Sequence, residues 1–411
     1  MEMSFRYWIW FWLAPLAGAQ PLSTLVDEAL RNNPDILAAQ KRVEALRQRP
    51  PRESSLPDPT VSLGWTSNGA PWPGAGIGVN PTSNLGVMVS QEVPAPGKRR
   101  LRGEIADKEA EAAFNEYLAT RLNVASRLKQ AYHELHHAVV AISFVDRYQD
   151  LLNNMLRISE ARYAVGRAAQ QDILRGQTQL AIFETERVRY EQQRTARQIE
   201  IDALLNRPQG GPIEVPAEMT AGEMPASLED LLAQARAHSP LVERGRDAIQ
   251  GSELAASLAR KDYAPDYTVS AGYFNQGFMP PMWQARVDFK LPAYFWRKQR
   301  AAVDEQEANA SQARHQYAAA LAEIEAGIRE QYSAAGASRK LVDLYEKSVI
   351  PEARLAYESA LAGYQTGRAD FIALFTSFTS VVDYELANHE EIMRFHVALA
   401  KLEELTGGER K

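Results

Sequence analysis

The chain has 411 residues, 24% of them charged, a formal net charge of −6 and no cysteine. An acidic balance argues against a nucleic-acid footprint. The missing thiols exclude disulfides, thiolate metal sites and lipidation of a mature N-terminal Cys, and seven His leave little material for metal cages.

From the N-terminus, Tyr7 to Leu16 is apolar and runs into Ala17-Gly18-Ala19. That is the length of a signal-peptide core with an A-x-A cleavage site, too short to span a bilayer. The expectation is a signal peptide over 1–19 and an exported mature protein. No later stretch reaches 18 apolar residues, so membrane insertion, if it occurs, must use strands. Residues 22–49 read as helix, interrupted at Asn33-Pro34 and ended by Pro50-Pro51, because Pro supplies no amide hydrogen.

Strands are expected next. In 60–67, Val61, Leu63 and Trp65 alternate with Thr60, Ser62 and Gly64, and in 85–93 Leu85, Val87 and Val89 alternate with Gly86, Met88 and Ser90. A long helix over 98–162 follows. Its stripe includes Leu128, Tyr132, Leu135 and Val145, with apolar residues recurring at threes and fours. At about 65 residues it spans roughly 100 Å. The helix breaks at Tyr163-Ala-Val-Gly166-Arg167-Ala168, and another is expected over 169–206.

Then the pattern returns. LSTLVDEALRNNP at 22–34 reappears as LEDLLAQARAHSP at 228–240, and a second break, Tyr364-Gln-Thr-Gly367-Arg368-Ala369, falls 201 positions after the first. The second copy has helix over 228–262 and strands over 267–275 and 283–291. Its long helix, 297–362, contains Pro351, and a last helix covers 370–405. A repeat this long is a duplicated half-domain, not a solenoid unit: 20–216 is the first structural repeat and 217–411 the second. The short helices together match the reach of one long helix, and the Ala-rich stripes suit helices side by side in a curved wall. An ordinary coiled coil or bundle is the alternative until the strands are considered. In 283–291, Trp283, Ala285, Val287, Phe289 and Leu291 oppose Gln284, Arg286, Asp288 and Lys290. Alternating segments of this length suit transmembrane strands, with the first set toward lipid and the second toward a lumen. Four strands cannot close a barrel, so chains must share one. Two chains would give eight strands and three would give twelve; strand arithmetic alone does not choose between them.

The duplicated opening, the junction VSQEVPAPGKRRLRGEIA at 89–106, and the turns ARYAVGRAAQQDILRGQTQL at 161–180 and AGYQTGRADFIALFTS at 362–377 resemble the TolC-type outer membrane efflux proteins. The junction and GFMPPMWQARVDFKLPAYFWRKQR at 277–300 look most like the outer-membrane subunits of heavy-metal cation efflux, of the cobalt–zinc–cadmium or copper–silver type. The resemblance implies an α+β membrane protein of the Gram-negative outer membrane. Each repeat would carry two transmembrane β-strands and long periplasmic helices, in a homotrimeric 12-stranded β-barrel on an α-helical barrel. It implies a periplasmic adaptor, an inner-membrane pump of the resistance-nodulation-division type, outer membrane lipid around the barrel, no cofactor and no enzymatic activity. A drug-efflux or type I secretion duct has the same fold. A secreted structural coiled-coil protein is the rival from another class.

Several residues then acquire expected roles. Gly166 and Gly367 supply the positive φ that ends a helix, and by resemblance these turns, with Tyr163, Arg167, Tyr364 and Arg368, are the adaptor-docking tips. Asp172, just past the first tip, is the candidate gate residue; three copies would ring the tunnel with carboxylates. In the second copy, Ile372 and Phe375 stand near the comparable turn, so the acidic gate of the best-known members does not carry over there. Lys98, Arg99 and Arg100, and Trp296, Arg297 and Lys298, start the long helices. Their charge opposes the helix dipole, and cations beside aromatics suit a membrane interface with anionic headgroups as compensation. His133 and His137 are i, i+4 and have no Cys or acid to complete a metal site except Glu134, which points elsewhere. They are expected, with His136, to be solvated or lumen-lining. Met279 and Met282 flank Pro280-Pro281 and are expected to pack within a loop.

Overall fold

The computed structural model describes residues 21–408 apart from 69, 209, 210, 212 and 225; the expected signal peptide lies outside the described residues. The chain divides into two compact units, Met1–Ile36 with Arg121–Leu231 and Gly327–Lys411, and Leu37–Thr120 with Leu232–Ala326. Each draws on both sequence repeats.

The second unit holds β1 (Thr60–Thr66), β2 (Asn84–Val93), β3 (Asp266–Asn275) and β4 (Met282–Lys290), one antiparallel sheet in the order β1-β2-β3-β4. The two hairpins come from different repeats and join through β2 and β3. Directly opposed residues share a face of a sheet. Val61 opposes Val89, Leu63 opposes Val87, and Trp65 opposes Leu85. Across the next junctions Val87 opposes Tyr273, and Tyr273 opposes Trp283, while Val269 opposes Val287 and Tyr267 opposes Phe289. The apolar sets of all four strands therefore form one continuous face, with the Tyr273 and Trp283 rings 5.0 Å apart.

The other face is mostly polar or bare, with Met88, Phe274 and Met282 as apolar members. Ser90 and Ser270 hydroxyls are 2.9 Å apart, and Arg286 Nε meets Asp288 Oδ2 at 2.8 Å. Gly86 opposes Phe274. A Cβ on Gly86 would fall 2.1 Å from that ring, so the aromatic lies on backbone that only Gly leaves uncovered.

The helices are set by their punctuation. In the first repeat α1 (Leu22–Asn32) and α2 (Pro34–Leu46) are separated at Asn33, and Pro opens α2 because an amide hydrogen is dispensable there. Pro50-Pro51 does not end the helical stretch as expected: the two prolines occupy the first turn of a short α3 (Arg49–Glu53), the one helical position that tolerates them. Next come α4 (Lys98–Ala164) and α5 (Gln170–Leu205). The second repeat has α6 (Leu228–His238) and α7 (Pro240–Lys261), broken at Ser239. Its long helix is not continuous. It runs as α8 (Lys298–Leu344), a π-helical turn (Tyr345–Val349) and α9 (Ile350–Thr366). The cause is Pro351, which lacks an N–H and whose ring collides with the carbonyl four residues back. The chain widens to let Ile350 N bond Tyr345 O. α10 (Phe371–Thr406) completes the order.

In the first unit the core lies among α4, α5, α9 and α10, where Tyr148, Leu152, Phe183, Phe371, Leu374 and Phe378 are buried together. Gly176 of α5 allows a close approach to Leu156 of α4: a Cβ there would stand 2.4 Å from Leu156 Cδ2. The break at Asn33 is also tied into this unit. Its Oδ1 accepts from the amides of Asp35 and Ile36, and its Nδ2 donates to Leu204 O at 3.0 Å. Asn33→Ala removes the cap and leaves a buried carbonyl unpaired. We expect a loss of about 2 kcal/mol, read as a lower midpoint in thermal unfolding followed by circular dichroism. An unchanged midpoint would show that the cap is dispensable.

Candidate functional site: paired helix turns and a two-faced sheet

Two features stand out, one in each unit. In the first unit the two helix reversals are built alike. Gly166 and Gly367 have φ of 71° and 76°. Gly166 N donates to Tyr163 O at 2.9 Å and Arg167 N to Arg162 O at 2.8 Å; Gly367 N donates to Tyr364 O at 3.1 Å and Arg368 N to Gly363 O at 2.8 Å. Each is a Schellman closure, in which the left-handed residue lets two otherwise orphaned carbonyls be satisfied.

The two tyrosines of the motif diverge. Tyr163 is 47% exposed, whereas Tyr364 is 3% exposed. The Tyr364 hydroxyl lies 2.9 Å from Ser159 Oγ, which already donates to Met155 O, so Tyr364 is the donor between them. The Arg162 guanidinium stacks 4.4 Å above the Tyr364 ring and donates to its carbonyl. Tyr364 is the post that fastens the second turn to α4. Arg162 and Ser159, outside the repeated motif, complete the fastening. Arg167 and Arg368 are exposed, and among the described residues neither makes an ion pair.

Asp172 sits half-exposed in the first turn of α5, where a carboxylate is favoured by the helix dipole. At the matching end of α10, Asp370 caps the helix by accepting from Ala373 N at 2.8 Å. Phe375 stacks on Phe371, ring centroids 5.8 Å apart, and Ile372 is exposed.

Further along the same helices lies a polar hub that no motif announces. Glu385 of α10 is 6% exposed. Its carboxylate accepts from the Tyr148 hydroxyl, from Arg147 Nη2 at 3.1 Å and from Arg354 Nε at 2.9 Å. Burial, then the hydrogen bond to Glu385, pushes the Tyr148 phenol well above its ordinary range. The hydrogen bond to Glu385 likewise raises Arg354. Arg354 follows the π-helical turn by five residues, so the helix defect sets where this guanidinium stands.

The histidines are neither solvated nor arranged as a cage. His133 and His136 are buried, and His133 stacks on His396 of α10, centroids 4.5 Å apart. Among the described residues no group of three or more His, Asp or Glu is placed to hold a metal ion. Glu134 instead pairs with Arg197 at 2.5 Å.

In the second unit, the sheet register puts Gln284, Arg286, Asp288 and Lys290 on the face opposite Trp283, Ala285, Val287 and Phe289. Lys98 does not join a cationic surface beside it. It is 3% exposed and paired with Asp262 at 3.0 Å and Asp266 at 2.9 Å. Burial opposes its charge, but the hydrogen bonds to Asp266 and Asp262 outweigh that and hold the ammonium above its usual pKa. Compensation for the first helix start comes from protein: Arg99 Nε donates to Ser54 O at 2.8 Å and Arg100 pairs with Glu104 at 2.7 Å. At the second start, Tyr294, Phe295 and Trp296 are exposed beside the exposed Arg297 and Lys298. Met282 begins β4, its side chain 40% exposed.

Residues 25–207, most of the first repeat, match the family described as outer membrane efflux protein. Comparison with curated proteins gives no match. Among solved structures, the chain is similar to CusC, a former of transmembrane channels, with a TM-score of 0.78 at 15% identity over 94% of this chain and 92% of that one. It is similar to the outer membrane protein VceC of Vibrio cholerae, with a TM-score of 0.78 at 18% identity over 94% and 96%. It is likewise similar to the outer membrane channel CmeC of Campylobacter jejuni, with a TM-score of 0.79 at 16% identity over 95% and 86%. Residues 25–207 thus match that family's model, and the chain as a whole has the fold of these channel structures. Among the described residues no helix is long and apolar enough to cross a membrane.

Replacing Gly367 by Val forces a β-branched residue into left-handed backbone, at a cost of about 1–2 kcal/mol. The Cβ itself would make only an ordinary contact with Arg162 Nη2, 3.6 Å away, so any further disturbance comes from the two γ-methyls that reach beyond it toward the guanidinium. Gly166→Val bears only the backbone cost, since nothing lies within 4 Å of its Cβ position. We expect trypsin to cut faster at the turns in both variants and fastest in Gly367→Val. Equal rates in the wild type and both variants would contradict this account of the turns.

Proposed function

We propose that the chain is the outer-membrane exit duct of a tripartite efflux pump, carrying heavy-metal cations outward. One observation carries the duct: a four-stranded sheet with one largely apolar face, an opposite face that carries its charged residues and, among the described residues, two unpaired edges. In lipid an open edge leaves backbone amides and carbonyls without partners, which is prohibitive. Copies of the chain must supply the missing pairings. The TolC-type fold favours three, giving twelve strands and a lumen wide enough for water.

In this assembly Val61, Leu63, Trp65, Val287 and Phe289 face lipid. Gln284, Arg286, Asp288 and Lys290 line the water path. The turns at Gly166 and Gly367 present Tyr163, Arg167 and Arg368 to a periplasmic adaptor, and Asp172 draws cations at the gate. Trp296, Arg297 and Lys298 meet the membrane interface, with Arg99 and Arg100 in a lesser role because protein groups already occupy them. The duct performs no chemistry; an inner-membrane pump supplies the energy. The cargo class rests on the resemblance of 89–106 and 277–300 to heavy-metal efflux subunits.

In mild detergent the particle should have the mass of three chains; a stable monomer would overturn the shared barrel. The chain contains no Cys, so single Cys substitutions report directly in membranes. Water-soluble thiol reagents should label positions 284, 286 and 288 and spare 287 and 289, and the inverse pattern would reverse the faces. For the cargo, loss of the gene should sensitise cells to cobalt, zinc, cadmium, copper or silver salts. Sensitivity to organic drugs alone would assign a drug duct of the same fold.

A further inference from the structure

The segment joining the two repeats, 213–224, has no helix or strand, yet it is held at successive points by imidazoles. Met219 Sδ lies 3.2 Å from His133 Nδ1. Thr220 O lies 3.0 Å from His396 Nε2. His136 bonds the backbone of Pro216. The segment's apolar residues, Ala221 and Met224, rest on Phe395, Ala335 and Ala398.

The chemistry of these bonds fixes the ring protons. A thioether and a carbonyl only accept, and Pro has no N–H to give, so each imidazole donates to the segment from one nitrogen. In the neutral ring the second nitrogen is then a bare lone pair. His136 Nε2 is such an atom, buried and, among the described residues, without a partner. Protonation would place a cationic N–H where nothing accepts it, which costs more than the neutral arrangement.

The neighbours sharpen the penalty. His133 and His396 stack with their planes 10° apart, so a proton on one opposes a proton on the other. From α4, Tyr132 packs edge-on to His133, while His136 and Lys129 add positive or protonatable charge, and Lys129 itself is paired with Glu403 of α10. His389 of α10 acts on His136 in the same sense. Among the described residues no carboxylate is one of the charges that shift His133 or His396. The segment's own Glu214, Glu218 and Glu223 make no ion pair with these rings among the described residues.

We propose that 213–224 is an acid-released strap, clasped by neutral His133, His136 and His396 and let go when these imidazoles take up protons. Burial, ahead of the charges of His396, His136 and Lys129, pushes His133 from its ordinary 6.5 down to about 3; burial likewise lowers His136 and His396. The released state therefore binds more protons than the clasped state below the ordinary value. The clasp is fully stable above about pH 6.5 and weakens as pH falls toward the clasped-state value. His133, regaining ordinary titration on release, shifts the equilibrium about tenfold between about pH 7.5 and about pH 5.5, and His136 and His396 act in the same direction. Carboxylates titrate mostly below that window.

The test is hydrogen–deuterium exchange of the full chain in detergent micelles, with rates corrected for the intrinsic effect of pH. Protection of 213–224 should fall at least about tenfold from about pH 7.5 to about pH 5.5, while α1 changes little. The double variant His133→Gln, His396→Gln keeps neutral donors and should flatten most of that response. Equal protection at both pH values overturns the proposal, as does an undiminished response in the double variant. Should the variant fail to fold, the wild-type titration decides alone. A midpoint between about pH 5 and pH 6.5 supports the imidazoles, and a fall confined to below about pH 5 assigns release to carboxylates and removes the strap's histidine control.

Discussion

Backbone hydrogen bonding sets the terms for the sheet. Among the described residues β1 pairs only with β2, and β4 only with β3, so each outer strand offers a row of unpaired amides and carbonyls. In water such an edge is an aggregation hazard; in lipid it is not a stable state. The apolar face seeks a nonaqueous medium and the edges forbid meeting that medium alone. In the proposed duct both demands are met together by joining copies edge to edge. The Gly86–Phe274 contact lies inside the sheet, between β2 and β3, where the aromatic ring covers backbone that a larger residue would shield.

The helical part depends on a different economy, in which a few residues decide where long helices stop or bend. Pro34 and Pro240 open helices at matching places in the two repeats, and Gly166 and Gly367 close them with matching hydrogen bonds. The repeats then diverge where single residues differ. Asn33 caps α2, but Ser239, at the corresponding break, has a buried hydroxyl without a partner among the described residues. Pro351 has no counterpart in the first long helix, and only the second long helix has a π-helical turn. Arg354 just beyond it reaches Glu385, so a local backbone defect feeds a polar hub inside the helical unit.

The strands, the first long helix and both turns were legible in the sequence because each depends on local periodicity or on one Gly or Pro. What was not legible depends on partners far along the chain. Lys98 looks like one cation in a basic run until Asp262 and Asp266 close on it. Tyr364 looks equivalent to Tyr163 until Arg162 and Ser159 hold it. Glu385 reads as an ordinary helix acid, yet its partners Arg147 and Tyr148 lie in the other repeat. His133 and His136 look solvated on a helix whose stripe is Leu128, Tyr132 and Leu135, but α10 and the inter-repeat segment cover them. Periodicity identifies one buried stripe per helix; a helix packed on several sides buries more than its stripe shows.

The central claim is that the free edges of β1 and β4 meet between copies. Single Cys substitutions on the apolar face, at 61, 63 or 65 of β1, can be paired with substitutions at 283, 285, 287 or 289 of β4 in this Cys-free chain. After mild oxidation in native membranes, denaturing electrophoresis should show covalent dimers and trimers for the pairs in register and none for β2 with β3 controls, whose crosslinks stay within one chain. Monomer alone for every β1–β4 pair, with those controls oxidising normally, would contradict the shared barrel.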